Sequence, residues 1–390
     1  MKILYIVPFF TPAWNFGGEV RTSYEMALRL SKKGHQITVI TTDLYQLNKK
    51  IPSYSYSINE NFKIIYFKNL SYKLAFKNRF IFPMGMKKFL QINTSQFDII
   101  HAQSTYFIGL IWGFMFSKLW DRPFFISTQG VISPTSQRTK FWYKKVINFF
   151  MFYIFRNSKI ITQTPREKKE IEAFSGKKTE ISILKNGINL ELYNQTISQN
   201  NFRKKHNINE DTILILFLGR FDSVKGIPTL IKAFSKINQT KDTKLLLVGP
   251  YNDYFHDKIR PMLNSLNSSN NIITINGLYG KEKIAAYQTS DIYCLPSIYD
   301  CAPTTLLEAG ISGLPVITTY NNGLSFLLKD GGGLIINSGN ISELKNALSY
   351  YIESRENRIA DGKRLKEKIT KDFGWDIIIE DLLEIYSRSL

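Results

Sequence analysis

Cysteine occurs only twice in these 390 residues, as Cys294 and Cys301. Two thiols cannot staple a fold, and such usage suits a reducing compartment. No apolar run reaches the roughly 18–20 residues that a membrane-spanning helix needs. The opening, MKILYIVPFF, carries one lysine and has no small-residue cleavage site, so it reads as a first buried strand rather than a secretory leader. A cytoplasmic protein is expected. No Asp-x-Asp triplet occurs and no His/Cys cluster has metal-ligand spacing, so neither a metal nor another cofactor is expected. Acid is missing locally: none lies between Glu60 and Asp98, and none between Arg122 and Arg166.

What remains is basic and apolar. The formal net charge is +19, and apolar residues make up 44% of the chain. The acid-free stretches interleave Lys and Arg with rings, as in FWYKKVINFFMFYIFRN. That pattern fits an anionic membrane surface, with rings at headgroup depth and cations on phosphates. It also fits nucleic acid, but no nucleic-acid motif accompanies it, so a membrane face is expected and nucleic acid is not. A general bias toward Lys, Asn, Ile and Tyr would give a similar composition.

A chain of 390 residues exceeds one ordinary core, which predicts two domains. Apolar or β-branched runs at 3–8, 35–41, 62–67, 98–101, 124–128, 159–164 and 181–184 alternate with helical periodicity, beginning at 19–33. That predicts a wound α/β domain with a parallel sheet. Residues 190–211 are polar and read as a linker. A second series follows, with strands at 213–218, 244–248, 272–275, 292–295 and 315–318. Its helices are predicted at 228–237, 282–289, 304–312, 342–352 and 358–371, and a final amphipathic helix at 375–385. Ligands of such sheets collect at the carboxyl ends of the strands.

Four segments carry candidate chemistry. In PSIYDCAPTTLLEAGISGLP (296–315), a helix start at Pro303, Thr304, Thr305 and Leu306 offers backbone N–H groups to an anion. Asp300 and Glu308 there can accept sugar or ribose hydroxyls; each alone would read as a turn residue and a solvated helix residue. In LGRFDSVKG (218–226), Gly219 turns the chain, and Arg220 and Lys225 can hold a diphosphate. Gly17 and Gly18 let the backbone approach a ligand at the first strand-to-helix turn. His101 ends a strand in FDIIHAQS, where it either contacts substrate or serves as a hydrogen-bonded core residue.

Together these strings resemble glycosyltransferase family 4, the group 1 glycosyltransferases. The match lies in Pro296-Ser297, Asp300, Glu308-Ala309 and Gly313-Leu314-Pro315-Val316, in the 218–226 loop, and in the glycine pair before LSKKGHQITVITT. Asn186-Gly187-Ile188-Asn189, LLLVGP, INGL and the tail FGWDIIIEDLLEIY extend it over nearly the whole chain. The resemblance implies a GT-B fold, two Rossmann-like doubly wound domains facing a central cleft. The expected domains are 1–190 for the acceptor and 191–372 for the nucleotide sugar, with 373–390 crossing back.

It also implies roles. Glu308 holds the donor ribose and Asp300 the transferred sugar, while Arg220 and Lys225 neutralise the leaving diphosphate. Gly18 makes the closest backbone contact, and Gly277 and Leu278 border the nucleobase beside Tyr279. Where the family usually has Glu then Phe-Gly, this chain has Asp300-Cys301-Ala302-Pro303, which points to a different donor sugar. Where many relatives carry a histidine, Gln129 stands and can donate hydrogen bonds but not act as a base. The implied activity is retaining, metal-independent transfer from a nucleotide-diphosphate sugar, UDP-linked by preference. The implied acceptor is a lipid-linked oligosaccharide in bacterial surface polysaccharide assembly (O-antigen, capsule or lipopolysaccharide), on the inner face of the cell membrane. Two rivals are another enzyme of the same fold, such as a sugar-nucleotide epimerase or a starch- or sucrose-type transferase, and a non-catalytic membrane or carbohydrate-binding protein.

Overall fold

A computed structural model describes residues 1–46, 49–51, 55–78, 80–105, 107–130, 143–176, 178–195, 199–237, 241–266 and 271–390. Arg79 and the start of the basic aromatic stretch, residues 141–142, lie outside them. The chain divides into two compact units, Met1–Asn186 with Asp376–Leu390, and Gly187–Trp375.

In the first unit the strands are β1 (Lys2–Ile6), β2 (Gln36–Thr42), β3 (Leu44–Gln46), β4 (Lys49–Lys50), β5 (Ser55–Asn59), β6 (Phe62–Phe67), β7 (Ile99–Gln103), β8 (Phe124–Ser127), β9 (Lys159–Thr162) and β10 (Glu180–Ile183). The helices are α1 (Gly18–Lys32), α2 (Tyr72–Asn78), α3 (Met86–Asn93), α4 (Ile108–Leu119), α5 (Tyr143–Arg156) and α6 (Pro165–Ser175). Among the described residues one sheet runs β10-β9-β8-β7-β1-β2-β6-β5. Its pairings are parallel except β5 on β6. The all-parallel expectation therefore fails at this edge, where SYSIN is polar and half exposed, as an edge strand tolerates. β1 is central and its Ile3–Ile6 are fully buried, which is why the run is continuously apolar.

The second unit holds α7 (Leu190–Asn194), α8 (Gln199–Lys205), β11 (Ile213–Leu218), α9 (Ile227–Phe234), β12 (Thr243–Gly249), α10 (Arg260–Asn264), β13 (Ile272–Asn276), α11 (Gly280–Thr289), β14 (Ile292–Leu295), α12 (Thr304–Ile311), β15 (Val316–Thr319), β16 (Gly333–Ile336), α13 (Ile341–Glu353) and α14 (Arg355–Asp372). Its sheet is parallel throughout, in the order β13-β12-β11-β14-β15-β16. The polar segment expected as a linker instead carries α7 and α8. Arg203 of α8 holds it by donating to the carbonyls of Asn209, Thr212 and Thr289. β16 was not expected, because its flanking glycines mask a short strand.

The last helix, α15 (Trp375–Ser387), belongs to the first unit from Asp376 onward. Its Tyr386 is fully buried against Tyr5 and His101, and Asp376 and Glu380 pair with Arg29 and Lys33. Among the described residues no helix is long and apolar enough to cross a membrane.

Candidate active site

A parallel sheet delivers every strand's following loop to one edge. In the second unit that edge gathers the loops after β11, β13, β14 and β15. The buried run of β11 ends at Gly219, and Arg220 then points outward, its Nη2 3.5 Å from Asp222 Oδ2. A short turn, Ser223–Lys225, follows, capped by the Asp222 side chain on the Val224 N–H. Gly226 ends it at φ +69°, and a Cβ there would lie 2.0 Å from the Pro296 carbonyl oxygen. Only glycine meets both demands, so the Lys225 turn can lie directly against the loop after β14.

That closeness brings the two motifs together. The Ile298 N–H donates to Val224 O at 2.7 Å, and Lys225 Nζ donates to Asp300 Oδ2 at 2.5 Å. Asp300 is further held by its N–H to Asn321 O and by Gly323 N–H on its own carbonyl. The sequence separated the two residues into different roles; the structure makes them an ion pair. Pro303 then caps α12 with no side-chain hydrogen bond, and no acid occupies the helix's first turn. The Leu306 N–H turns back to Pro303 O. The start at Thr304 and Thr305 thus presents a positive helix end without a resident anion.

Glu308 stands one turn inside α12 and is nearly buried, so a solvated helix residue is ruled out. Its Oε1 accepts from Lys283 Nζ at 2.5 Å and its Oε2 from Tyr287 OH at 2.9 Å. Burial, and then the charge on Glu308, push the Tyr287 phenol well above its ordinary range, so it remains a donor. Neither α11 residue was picked out by sequence. Their spacing of four was a visible signal, but nothing in it named Glu308 as the partner. After β13, Gly277 bonds to Gly249 O, Leu278 is buried, and Tyr279 is exposed at the start of α11.

In the first unit, Gly17 and Gly18 open α1, with no atom within 4 Å of where either Cβ would stand. The next residue, Glu19, has Oε1 buried without a partner, and burial raises its carboxyl to about 7 despite a hydrogen bond with Ser104. His101 needs correction as a substrate contact. It is fully buried; Nδ1 meets Tyr386 OH at 2.6 Å and Nε2 meets Ser127 Oγ at 2.8 Å. Burial lowers its pKa to about 3, so the ring is a neutral packing group. Gln129 donates to Gln103 Oε1 at 3.2 Å from a backbone at φ +48°. Ser23 also donates to that oxygen.

Two family models match: Glycosyltransferase Family 4 over residues 16–192, and Glycosyl transferases group 1 over residues 198–370. The chain is a group 1, family 4 glycosyltransferase. An uncharacterized glycosyltransferase of Methanocaldococcus jannaschii is 24% identical over 60% of this chain and 61% of its own length. A D-inositol 3-phosphate glycosyltransferase of Corynebacterium glutamicum is 22% identical over 79% of the chain and 76% of its own length. HepE of Anabaena, solved in complex with UDP-glucose, superposes with a TM-score of 0.78 at 17% identity, covering 100% of both chains. The two sheets, parallel but for the β5 edge, form the pair of Rossmann-like units of the GT-B fold shared with that structure. In this glycosyltransferase Gly17, Gly18, Gly219, Arg220 and Lys225 of the matched strings sit at strand-to-helix turns, where a parallel sheet puts ligand contacts.

Proposed function

We propose that the enzyme moves a sugar from a UDP-sugar to a lipid-linked glycan, with retention and without a metal, in building a bacterial surface polysaccharide. The carrying observation is the Lys225–Asp300 contact beside the uncapped start of α12. It sets fixed positive charge where a diphosphate would depart, and a carboxylate where a sugar hydroxyl would bind. Arg220 adds a second, exposed cation. As the bond from the anomeric carbon to the phosphate oxygen breaks, Lys225, Arg220 and the helix end stabilise the new negative charge. The acceptor hydroxyl bonds to the same face of that carbon, and its proton passes to the departing phosphate oxygen. Glu308 holds the ribose and Asp300 the transferred sugar. HepE's complex with UDP-glucose supports the choice of nucleotide.

The membrane part rests on the first unit. Met115 and Leu119 of α4 and Phe150 and Tyr153 of α5 are exposed. The Phe114 and Tyr153 rings lie 6.1 Å apart, joining the two helices into one patch. Lys118 and Arg156 border it, each over a ring. Such a face suits an anionic bilayer and a lipid-borne acceptor. The name of the Corynebacterium relative favours a second reading, a small phosphorylated polyol acceptor.

The test incubates the purified enzyme with UDP-glucose, UDP-galactose and UDP-N-acetylglucosamine, with and without EDTA. Acceptors are a membrane extract of lipid-diphosphate glycans or inositol 3-phosphate. Transfer to lipid with EDTA present, and retained configuration by NMR, are the expected results. Transfer to inositol 3-phosphate alone sinks the lipid reading; loss of activity with EDTA sinks metal independence.

A further inference from the structure

Lys283 and Tyr287 stand four residues apart on α11 and share one face. Both reach across to the one carboxylate of Glu308, each to a different oxygen. Lys283 and Glu308 are 16% and 10% exposed at their side chains, and Tyr287 is fully buried. Two features make this an unusual way to stabilise a fold. First, Lys283 is in the opening turn of α11, where the helix dipole disfavours a cation. Second, a nearly buried ion pair is generally no better for stability than apolar side chains of the same volume. A purely structural α11–α12 contact would be served as well by leucines.

The arrangement does have a chemical use. An ionised carboxylate offers about four lone-pair sites, two on each oxygen. Lys283 occupies one on Oε1 and Tyr287 one on Oε2, which leaves one site on each oxygen. Two adjacent acceptors match the two adjacent hydroxyls of a ribose. The two-point grip of Lys283 and Tyr287 removes rotation about the terminal bond of Glu308.

We propose that Lys283 is a positioning residue for donor recognition: with Tyr287 it fixes the Glu308 carboxylate as a two-oxygen acceptor for the ribose 2′- and 3′-hydroxyls. This rests on reading Glu308 as the ribose contact. Lys283 itself touches no substrate and acts through Glu308.

The experiment measures binding of UDP, ADP and GDP, each beside its 2′-deoxy form, to the full-length enzyme by calorimetry. For the base that binds best, the wild type is expected to prefer the ribonucleotide by ~10-fold, the worth of one hydrogen bond to a charged group. Lys283→Met is expected to reduce that preference to within ~2-fold, and Lys283→Arg to restore most of it. Affinity for the deoxy form stays the same in all three. In turnover assays Lys283→Met raises the donor KM more than it lowers kcat. A merely structural role would weaken both nucleotides equally and leave the preference intact. Should Lys283→Met fail to fold, Lys283→Gln, uncharged and one bond shorter, carries the same expectation.

Glu308→Gln separates the two ways of failing. If it loses the ribose preference while the Lys283 variants keep it, Lys283 is not a positioning residue. If Glu308→Gln keeps the preference as well, Glu308 does not hold the ribose and both ideas fall.

Discussion

In the second unit every carboxylate of the candidate site already faces a cation: Asp222 faces Arg220, Asp300 faces Lys225 and Glu308 faces Lys283. In the first unit the matching strand-end turn is arranged otherwise. There Glu19 Oε1, Gln103 Nε2 and Thr105 Oγ1 are buried without hydrogen-bond partners, while Lys118 and Arg156 lie over the Phe114 and Phe152 rings of α4 and α5. One unit thus has the charges of its candidate site paired side chain to side chain. The other has unspent hydrogen-bonding capacity, a Glu19 carboxyl raised to about 7, and the exposed side chains of Met115, Leu119, Phe150 and Tyr153. Preorganised charge stabilises a leaving diphosphate without reorganisation at the moment of reaction. Unspent donors and acceptors suit a partner rich in hydroxyls.

The largest expected effect breaks the charge pairing of the second unit. Lys225→Ala leaves Asp300 without its cation and removes the nearest positive charge, so kcat/KM should fall by about 10²–10³-fold in a donor-saturation assay. An effect under about fivefold would mean that the diphosphate is neutralised elsewhere. Next, Gly226→Ala forces a Cβ into the Pro296 carbonyl at φ +69°. It should cost about 2–4 kcal/mol in urea unfolding and weaken nucleotide binding with it. If binding survives that loss, the two loops need not touch.

Two smaller effects test the first unit. Glu19 has its carboxyl raised from 4.5 to about 7. A raised folded-state value contributes stability that is complete below 4.5 and is lost as pH rises through about 7. Glu19→Gln should flatten that window, recovering about 1–3 kcal/mol at pH 8 relative to pH 4.5. A pH dependence identical to the wild type's would show that Glu19 is solvated. Finally, Phe150→Ser with Tyr153→Ser should reduce binding to vesicles containing an acidic phospholipid by about tenfold. The melting temperature and turnover of a short water-soluble acceptor should hold. Equal vesicle binding would remove the membrane from the proposal.

His101 marks where sequence reasoning met its limit. Its place in a strand was legible, although β7 runs two residues past it to Gln103, and both a substrate contact and a core ring were compatible with that place. Tyr386, 285 residues later, decides the matter by occupying Nδ1. The 190–211 segment has the same lesson: its polarity suggested a linker, yet Arg203 binds the distant Thr289 carbonyl as well as nearby ones, which gives α8 a partner. The strands β6, β11 and β14 were read with their observed bounds, because a continuous or alternating apolar run is a local signal.

By itself, then, the sequence determined the two wound α/β series, the turns that carry Arg220, Lys225, Asp300 and the start of α12, and through their spacing the family. Each depends on residues within one turn or strand of one another. Only tertiary structure decided that Lys225 meets Asp300, that Lys283 and Tyr287 hold Glu308, and that His101 is sealed. Those contacts join residues 75, 25, 21 and 285 positions apart. Side chains so distant in the chain meet only where packed strands and helices bring them, and no local pattern carries that information.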